Sequence, residues 1–240
     1  MNTALIIPNN AIKFILFQRT AYLRFPVAPV YRLFNRVLPF QTPLYNLVVA
    51  IESRFGAARV KALYQADIYN EYQSFKNWLP PSCTTVLDIG CGVAGIDVFL
   101  YRHYAAQHPR LYLLDQTRIE KNVFYLFNTQ GAFYNSLDVA RRLLIDNSVP
   151  DQHIHLIEAN SQNTIAVESK IDLVVSLLSW GFHYPVGTYA QQVHAVLNDA
   201  GSIILDVRKG TSGLDTLQQI FRQVEVIMET AKYQRVVARK

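Results

Sequence analysis

Eight residues constrain this chain more than any others: Asp88-Ile89-Gly90-Cys91-Gly92-Val93-Ala94-Gly95. They complete a short β-branched run, Thr85-Val86-Leu87-Asp88-Ile89, and lead into helical spacing from Ile96 to Ala106. Gly90, Gly92 and Gly95 form a G-x-G-x-x-G. Without Cβ atoms the backbone there can turn tightly and let a ligand come close. The helix that follows offers free N–H groups at its start. Twenty residues beyond Gly95, at the end of the next apolar run, Asp115 supplies a carboxylate that can accept hydrogen bonds from ribose hydroxyls.

The remainder of the chain alternates. Strands are expected at Leu111–Leu114, His153–Glu158, Asp172–Ser176 and Ser202–Val207, and helices at Leu137–Ile145, Tyr189–Leu197 and Leu214–Phe221. Asn135 or Ser136 is the expected N-cap of the helix at Leu137. Such alternation builds a mostly parallel sheet covered on both faces, and the interior strands are near-continuous apolar runs, as that burial requires. The last two strands, Val224–Met228 and Tyr233–Ala238, leave no room for a crossover helix and must pair antiparallel.

Residues 1–79 read as helical, with apolar spacing at Val30, Leu33, Phe34 and Val37 and at Val60, Leu63, Tyr64, Ile68, Tyr72 and Phe75. Pro26, Pro29, Pro39 and Pro43 divide this block into short helices, and Pro80-Pro81 ends it. The expected division is an N-terminal helical extension over 1–79 and an α/β domain over 80–240 with an insertion at 116–135. The first eighty residues carry nine Lys/Arg and three acids, and the remainder is nearly neutral. A basic, aromatic-rich block can face an anionic acceptor, a nucleic acid or a membrane surface, or can be a solvated helical face. Half the residues are apolar and 17% are charged, which excludes a disordered chain. Two cysteines, Cys83 and Cys91, make no disulfide framework, and no Cys/His spacing fits zinc, so no metal is expected. No signal peptide or spanning segment is read in the sequence; the expectation is a cytoplasmic chain, with peripheral membrane contact through the basic block as the alternative.

Three features separate this pattern from a nicotinamide-binding chain. Asp88 stands two residues before the first glycine, where a pyrophosphate would meet its charge. The motif follows a helical block instead of opening the chain, and the sheet ends in an antiparallel hairpin. The sequence resembles the class I S-adenosylmethionine-dependent methyltransferases over about residues 64–240. The resemblance rests on Asp88 to Gly95, on Asp115, on Ala159-Asn160-Ser161 after the third strand and on Asp172-Leu173-Val174-Val175-Ser176 in the fourth. It implies a Rossmann-like seven-stranded, mostly parallel sheet with an antiparallel C-terminal hairpin, and S-adenosyl-L-methionine as cofactor. The implied cofactor-binding set is Asp88, Gly90, Cys91, Gly92, Gly95, Asp115, Gln116, Asn160, Ser161 and Ser176. Asn160 replaces the commoner aspartate as reader of the adenine edge, and its amide oxygen can still accept from the adenine amino group.

Chemistry is expected in the loop Ser179-Trp180-Gly181-Phe182-His183-Tyr184-Pro185, at the carboxyl end of the fourth strand. Trp180 or Phe182 can stack on a sugar face or an aromatic ring. A hydroxyl acceptor must lose a proton, so His183 is the candidate general base, with Tyr184 beside it. This stretch looks like that of bacterial sugar O-methyltransferase-like proteins. Phe124, Tyr125, Phe127, Phe133 and Tyr134 in the insertion read as a lid or acceptor wall. Arg208 and Lys209 can bind an anionic acceptor or neutralise Asp206. No Asn-Pro-Pro-Tyr or Pro-Cys follows the fourth strand, which argues against base-methylating nucleic-acid enzymes. The expected function is O-methylation of a small polar acceptor such as a sugar or glycosylated metabolite. An RNA methyltransferase, and a membrane-surface protein with a lipid-linked acceptor or without catalysis, remain open.

Overall fold

The computed structural model describes residues 3–24, 42–119 and 134–240. The expected helical spacing at Val30–Val37 and the aromatics Phe124, Tyr125, Phe127 and Phe133 lie outside them.

The N-terminal block supplies helices α1 (Ala11–Gln18), α2 (Thr42–Phe55) and α3 (Ala57–Phe75). Strands β1 (Thr85–Ile89) and β2 (Arg110–Asp115) flank α4 (Gly95–His103). A two-stranded ribbon, β3 (Arg118–Ile119) with β4 (Tyr134–Asn135), precedes α5 (Leu137–Asp146). Then come β5 (Ile154–Glu158), β6 (Ile171–Ser176), β7 (Ser179–Tyr184), α6 (Ala190–Val196), β8 (Leu197–Arg208), α7 (Gly213–Ile220), β9 (Gln223–Glu229) and β10 (Tyr233–Arg239).

Seven strands form one sheet in the order β5-β2-β1-β6-β8-β10-β9. All neighbours from β5 to β8 are parallel, and β10 is antiparallel to both β8 and β9. This is the mostly parallel sheet with a C-terminal hairpin that the pattern predicts. The chain builds outward from β1 through β2 to β5, then returns to the other side of β1 for β6 and β8. The switch point lies between β1 and β6, and a crevice opens there at the carboxyl ends of the strands. Register aligns Ile89 with Leu114 and Val86 with both Leu111 and Leu173, so Asp88 and Asp115 reach the same edge on adjacent strands.

Two expectations change, and the choice between two N-caps is decided. The 179–185 segment is a strand, β7, from Ser179 to Tyr184, packed against β8. Strand β8 starts at Leu197, where a helix end was expected. Asn135 lies in β4, and Ser136 takes the N-cap position in extended conformation without a side-chain cap bond.

Helix α3 buries Val60, Tyr64, Ile68, Tyr72 and Phe75, one stripe at spacings of three and four. Leu63, counted in that stripe from the sequence, is 37% exposed. The stripe joins Ile12, Ile15 and Leu16 of α1 in a continuous core with Val86, Val98, Phe99 and Leu111. A second core fills the opposite sheet face around Leu87, Val174, Trp180, Leu205 and Leu217. Among the described residues no helix is long and apolar enough to cross a membrane.

A buried ion network ties α3 to the sheet. Arg235 of β10 donates Nε to Asp206 Oδ1 at 2.7 Å and Nη2 to Asp206 Oδ2 at 2.8 Å. It also reaches Glu71 at 2.6 Å and Ser74 Oγ at 2.6 Å, both on α3. Asp206 and Arg235 have no exposed side-chain surface. Removing one member strands the other in a low-dielectric core. Asp206→Ala is expected to cost about 3–5 kcal/mol, measured as a lower urea midpoint, and the double variant Asp206→Leu/Arg235→Met should recover much of that loss.

Candidate active site

The glycine loop supplies the floor of the site. Gly90 has φ +78° and Gly92 φ +55°, both left-handed. A Cβ on Gly90 would lie 1.8 Å from Ser179 Oγ, one on Gly92 2.8 Å from Gln18 Oε1, and one on Gly95 2.4 Å from the Tyr64 hydroxyl. The loop is therefore bare because groups from β7, α1 and α3 close over it.

Two adjoining cavities, of about 340 and 400 Å³, share Gly90, Asp115, Ser179 and Tyr184 as walls. The first brings Asp88, Cys91, Gly92 and Gly95 together with His183 and Tyr184, and with Gln18, Arg19 and Tyr64 from the N-terminal helices. The second gathers Gln116, Asn160 and Ser161 beside Asn163 and Tyr189. Of the twelve site residues expected from sequence, only Ser176 lines neither cavity. Its hydroxyl is buried, donates to Ile89 O at 2.6 Å and accepts from Trp180 N at 3.0 Å, so it braces β6 against β1 and β7.

Asp115 is held in place by three donors. Its Oδ1 accepts from Gln116 N at 2.7 Å, and its Oδ2 accepts from Gly92 N at 2.8 Å and Asn135 Nδ2 at 2.9 Å. Burial nevertheless lifts its pKa to about 6. Asn135 is buried, and among the described residues its Oδ1 has no donor. That orphaned acceptor, next to a carboxylate on a cavity wall, fits a ligand carrying adjacent hydroxyls, such as a ribose.

Asp88, the last residue but one of β1, stands against a second buried acid, Asp97, in the first turn of α4. Among the described residues neither Asp97 oxygen has a hydrogen-bond donor. Two buried carboxyls this close each disfavour the other's charged form. Burial pushes Asp97 up to about 7, and burial followed by the Asp97 charge pushes Asp88 well above the carboxylate range. The pair is an acidic pocket suited to a cationic amine. Burial also raises the Cys91 thiol, which is no nucleophile here.

His183 stands exposed at the lip of the first cavity. Desolvation by the surrounding wall, then the Arg208 charge, lowers its pKa, so the imidazole is neutral at pH 7 and able to accept a proton. Trp180, expected as a stacking platform, is wholly buried and donates Nε1–H to Val186 O at 2.8 Å. Phe182 packs edge-on to His183 and Tyr233 and lines neither cavity. Asn160 is corrected too: its oxygen already accepts from Gln162 N and Thr164 N at 3.0 and 3.1 Å, so its NH2 is what remains to address a base. Arg208 stacks over Phe182, Lys209 pairs with Glu229, and Asp206 is neutralised by Arg235. Asp172 lies at the opposite sheet edge, bonded to Thr84, Thr85 and Asn198.

Sequence reasoning missed Gln18, Arg19, Tyr64, Asn135 and Ser179. Gln18, Arg19, Tyr64 and Asn135 reach the site from segments distant from the glycine motif, and no local pattern marks them; Ser179 opens the segment singled out above, but its contact with Gly90 crosses from β7 to the glycine loop. Among the described residues no group of three or more His, Cys, Asp or Glu is placed to hold a metal ion.

No protein-family model and no curated protein matches the sequence. Solved structures do share the fold. A TehB-like SAM-dependent methyltransferase from Corynebacterium glutamicum is 18% identical with TM-score 0.52, over 80% of this chain and 99% of that one. A precorrin-6y C5,15-methyltransferase from Geobacter metallireducens is 17% identical with TM-score 0.50, over 73% and 88%. The 16S rRNA N2 G1207 methyltransferase of T. thermophilus, in complex with AdoMet and guanosine, is 14% identical with TM-score 0.50; the match covers 70% of this chain and 41% of that one. The chain has the class I methyltransferase fold.

The acid pair sets a pH dependence. A carboxyl whose folded pKa is raised favours the fold while protonated and loses that advantage as pH rises from about 4 through about 7. Asp97→Asn should therefore melt higher than the parent at pH 8, by about 1–3 kcal/mol or roughly 3–10 °C, with the gap closing by pH 4. Melting curves across pH 4–8 check this; a gap independent of pH would contradict the raised carboxyl pKa.

Proposed function

We propose that this protein is an S-adenosylmethionine-dependent methyltransferase that O-methylates a small polar acceptor. The observation that carries the reading is one cavity with Asp88, Asp115 and the bare glycine loop on one side and His183 and Tyr184 on the other.

Each part of the cofactor has a matching group in the chain. Asp115 and the Asn135 Oδ1, which has no donor among the described residues, suit the ribose hydroxyls. Gln116, Ser161 and the Asn160 NH2 line the cavity suited to the adenine. The Asp88–Asp97 pocket suits the aminium. When bound, S-adenosylmethionine supplies a methyl group on a cationic sulfur. The chain's part is then to place an acceptor oxygen and take its proton. His183 accepts that proton on a neutral ring nitrogen, and Tyr184, at the meeting of the two cavities, holds the acceptor. Positioning of this kind supplies up to about 7–11 kcal/mol of a bimolecular barrier.

The walls favour a small acceptor with both hydroxyl and apolar faces, such as a sugar or glycosylated metabolite. Gln18, Thr20 and Ser179 interleave with Phe17, Ile68, Leu177 and Leu178. An RNA acceptor draws support from the basic N-terminal block, but Arg59 of that block pairs with Glu52, and Arg19 lines the first cavity with only 23% of its side chain exposed.

Calorimetry should show micromolar binding of S-adenosylhomocysteine and none of NAD; absence of binding to folded protein would sink the reading. With labelled donor and a panel of sugars, glycosides and RNA, His183→Gln should lose about 10²–10⁴-fold in kcat while keeping S-adenosylhomocysteine affinity within about twofold. Full turnover by that variant would remove His183 from the base role. The acidic limb of kcat/KM should lie below pH 6.5, because the His183 pKa is lowered from that value.

A further inference from the structure

The first cavity holds a guanidinium, Arg19, whose partners among the described residues leave most of its donors unused. Arg19 follows the last residue of α1 and lines the cavity beside Gln18, which covers Gly92. The residue is placed firmly. Its backbone N–H bonds Ile15 O at 2.7 Å, and its guanidinium lies over the Tyr64 ring at 5.7 Å. Tyr64 in turn stands against Gly95. The Arg19 side chain is 23% exposed, so most of it is enclosed.

A guanidinium has five N–H donors. Among the described residues, Arg19 uses one, Nη1, on one oxygen of Asp67 at 3.5 Å, the outer limit for a hydrogen bond. That same oxygen already accepts the Tyr22 hydroxyl. The other charged groups lining the cavity are Asp88 and Asp115. A zwitterionic amino acid bound there presents an aminium that Asp88 can take and a carboxylate that Asp88 and Asp115 both repel. A cation fixed on the same wall resolves that conflict, and a planar fork suits a carboxylate.

We propose that Arg19 binds the carboxylate of the methionine moiety of the cofactor, which makes the N-terminal block part of the cofactor site. The inference rests on the methyltransferase reading above. It is tested by calorimetry with S-adenosylhomocysteine, with its decarboxylated analogue and with 5′-methylthioadenosine, which lacks the amino-acid end altogether. Arg19→Met should weaken S-adenosylhomocysteine about 10–100-fold and leave the other two within about twofold. Arg19→Lys should restore part of the loss. Unchanged S-adenosylhomocysteine affinity in Arg19→Met overturns the proposal while leaving the cofactor reading intact. Equal weakening of all three ligands also overturns it, because a purely structural role has that signature. A parent protein that binds none of them overturns the cofactor reading and this inference together.

Discussion

The site depends on Arg235. This buried guanidinium joins Asp206 on β8 to Glu71 and Ser74 on α3, and it lies against the rings of Phe75 and Tyr233. Ile68 and Tyr64 stand one and two turns before Glu71 on the same face of α3, and both line the first cavity. The ion network therefore sets the height of the N-terminal helices over the glycine loop. On its other side Asp206 Oδ2 accepts from Leu178 N at 3.2 Å. Leu178 has φ +55°, a costly conformation for a leucine, and it turns the chain from β6 into β7. One ion pair thus positions both walls. Burial raises the Asp206 pKa even against Arg235, so desolvation is the largest contribution. The network's value lies in geometry more than in net stability.

The second organising feature is an excess of buried carboxyls. Asp88, Asp97 and Asp115 lie at the carboxyl edge of the sheet, and burial raises the pKa of all three. A fold holds such a cluster at a cost, and perturbed acids concentrated at a switch-point crevice are a mark of a binding site. A ligand with an aminium and two ribose hydroxyls relieves that cost. Burial, and after it the charge of the same acids, explains why the thiol of Cys91, inside the glycine loop, stays protonated.

Much of the fold was legible because its signals are local. Thr85–Ile89 is a strand with the predicted bounds, and the alternation from there to the final hairpin holds, since strands buried on both faces must be apolar runs. The site was legible where it follows the glycine motif directly. It was illegible where contacts cross the chain: Asn135 reaches Asp115 through a ribbon of two-residue strands, and Gln18 and Tyr64 reach the glycines from separate helices. Trp180 misled for a physical reason. A tryptophan beside His and Tyr reads as an exposed platform, but the indole fills the core with its Nε1–H on Val186 O, while His183 and Tyr184 line the cavity. Asn160 shows the limit of matching residue to role, because the turn it caps uses the oxygen that a base would need.

The central claim is that the N-terminal helices and the glycine loop form one cofactor site. Hydrogen exchange of the full chain with and without S-adenosylhomocysteine tests it most directly. The account predicts that ligand slows exchange together in the glycine loop, at the end of α1 around Gln18 and Arg19, and in the Tyr64–Ile68 turn of α3. Protection confined to residues 88–116, with both helices unchanged, would contradict it.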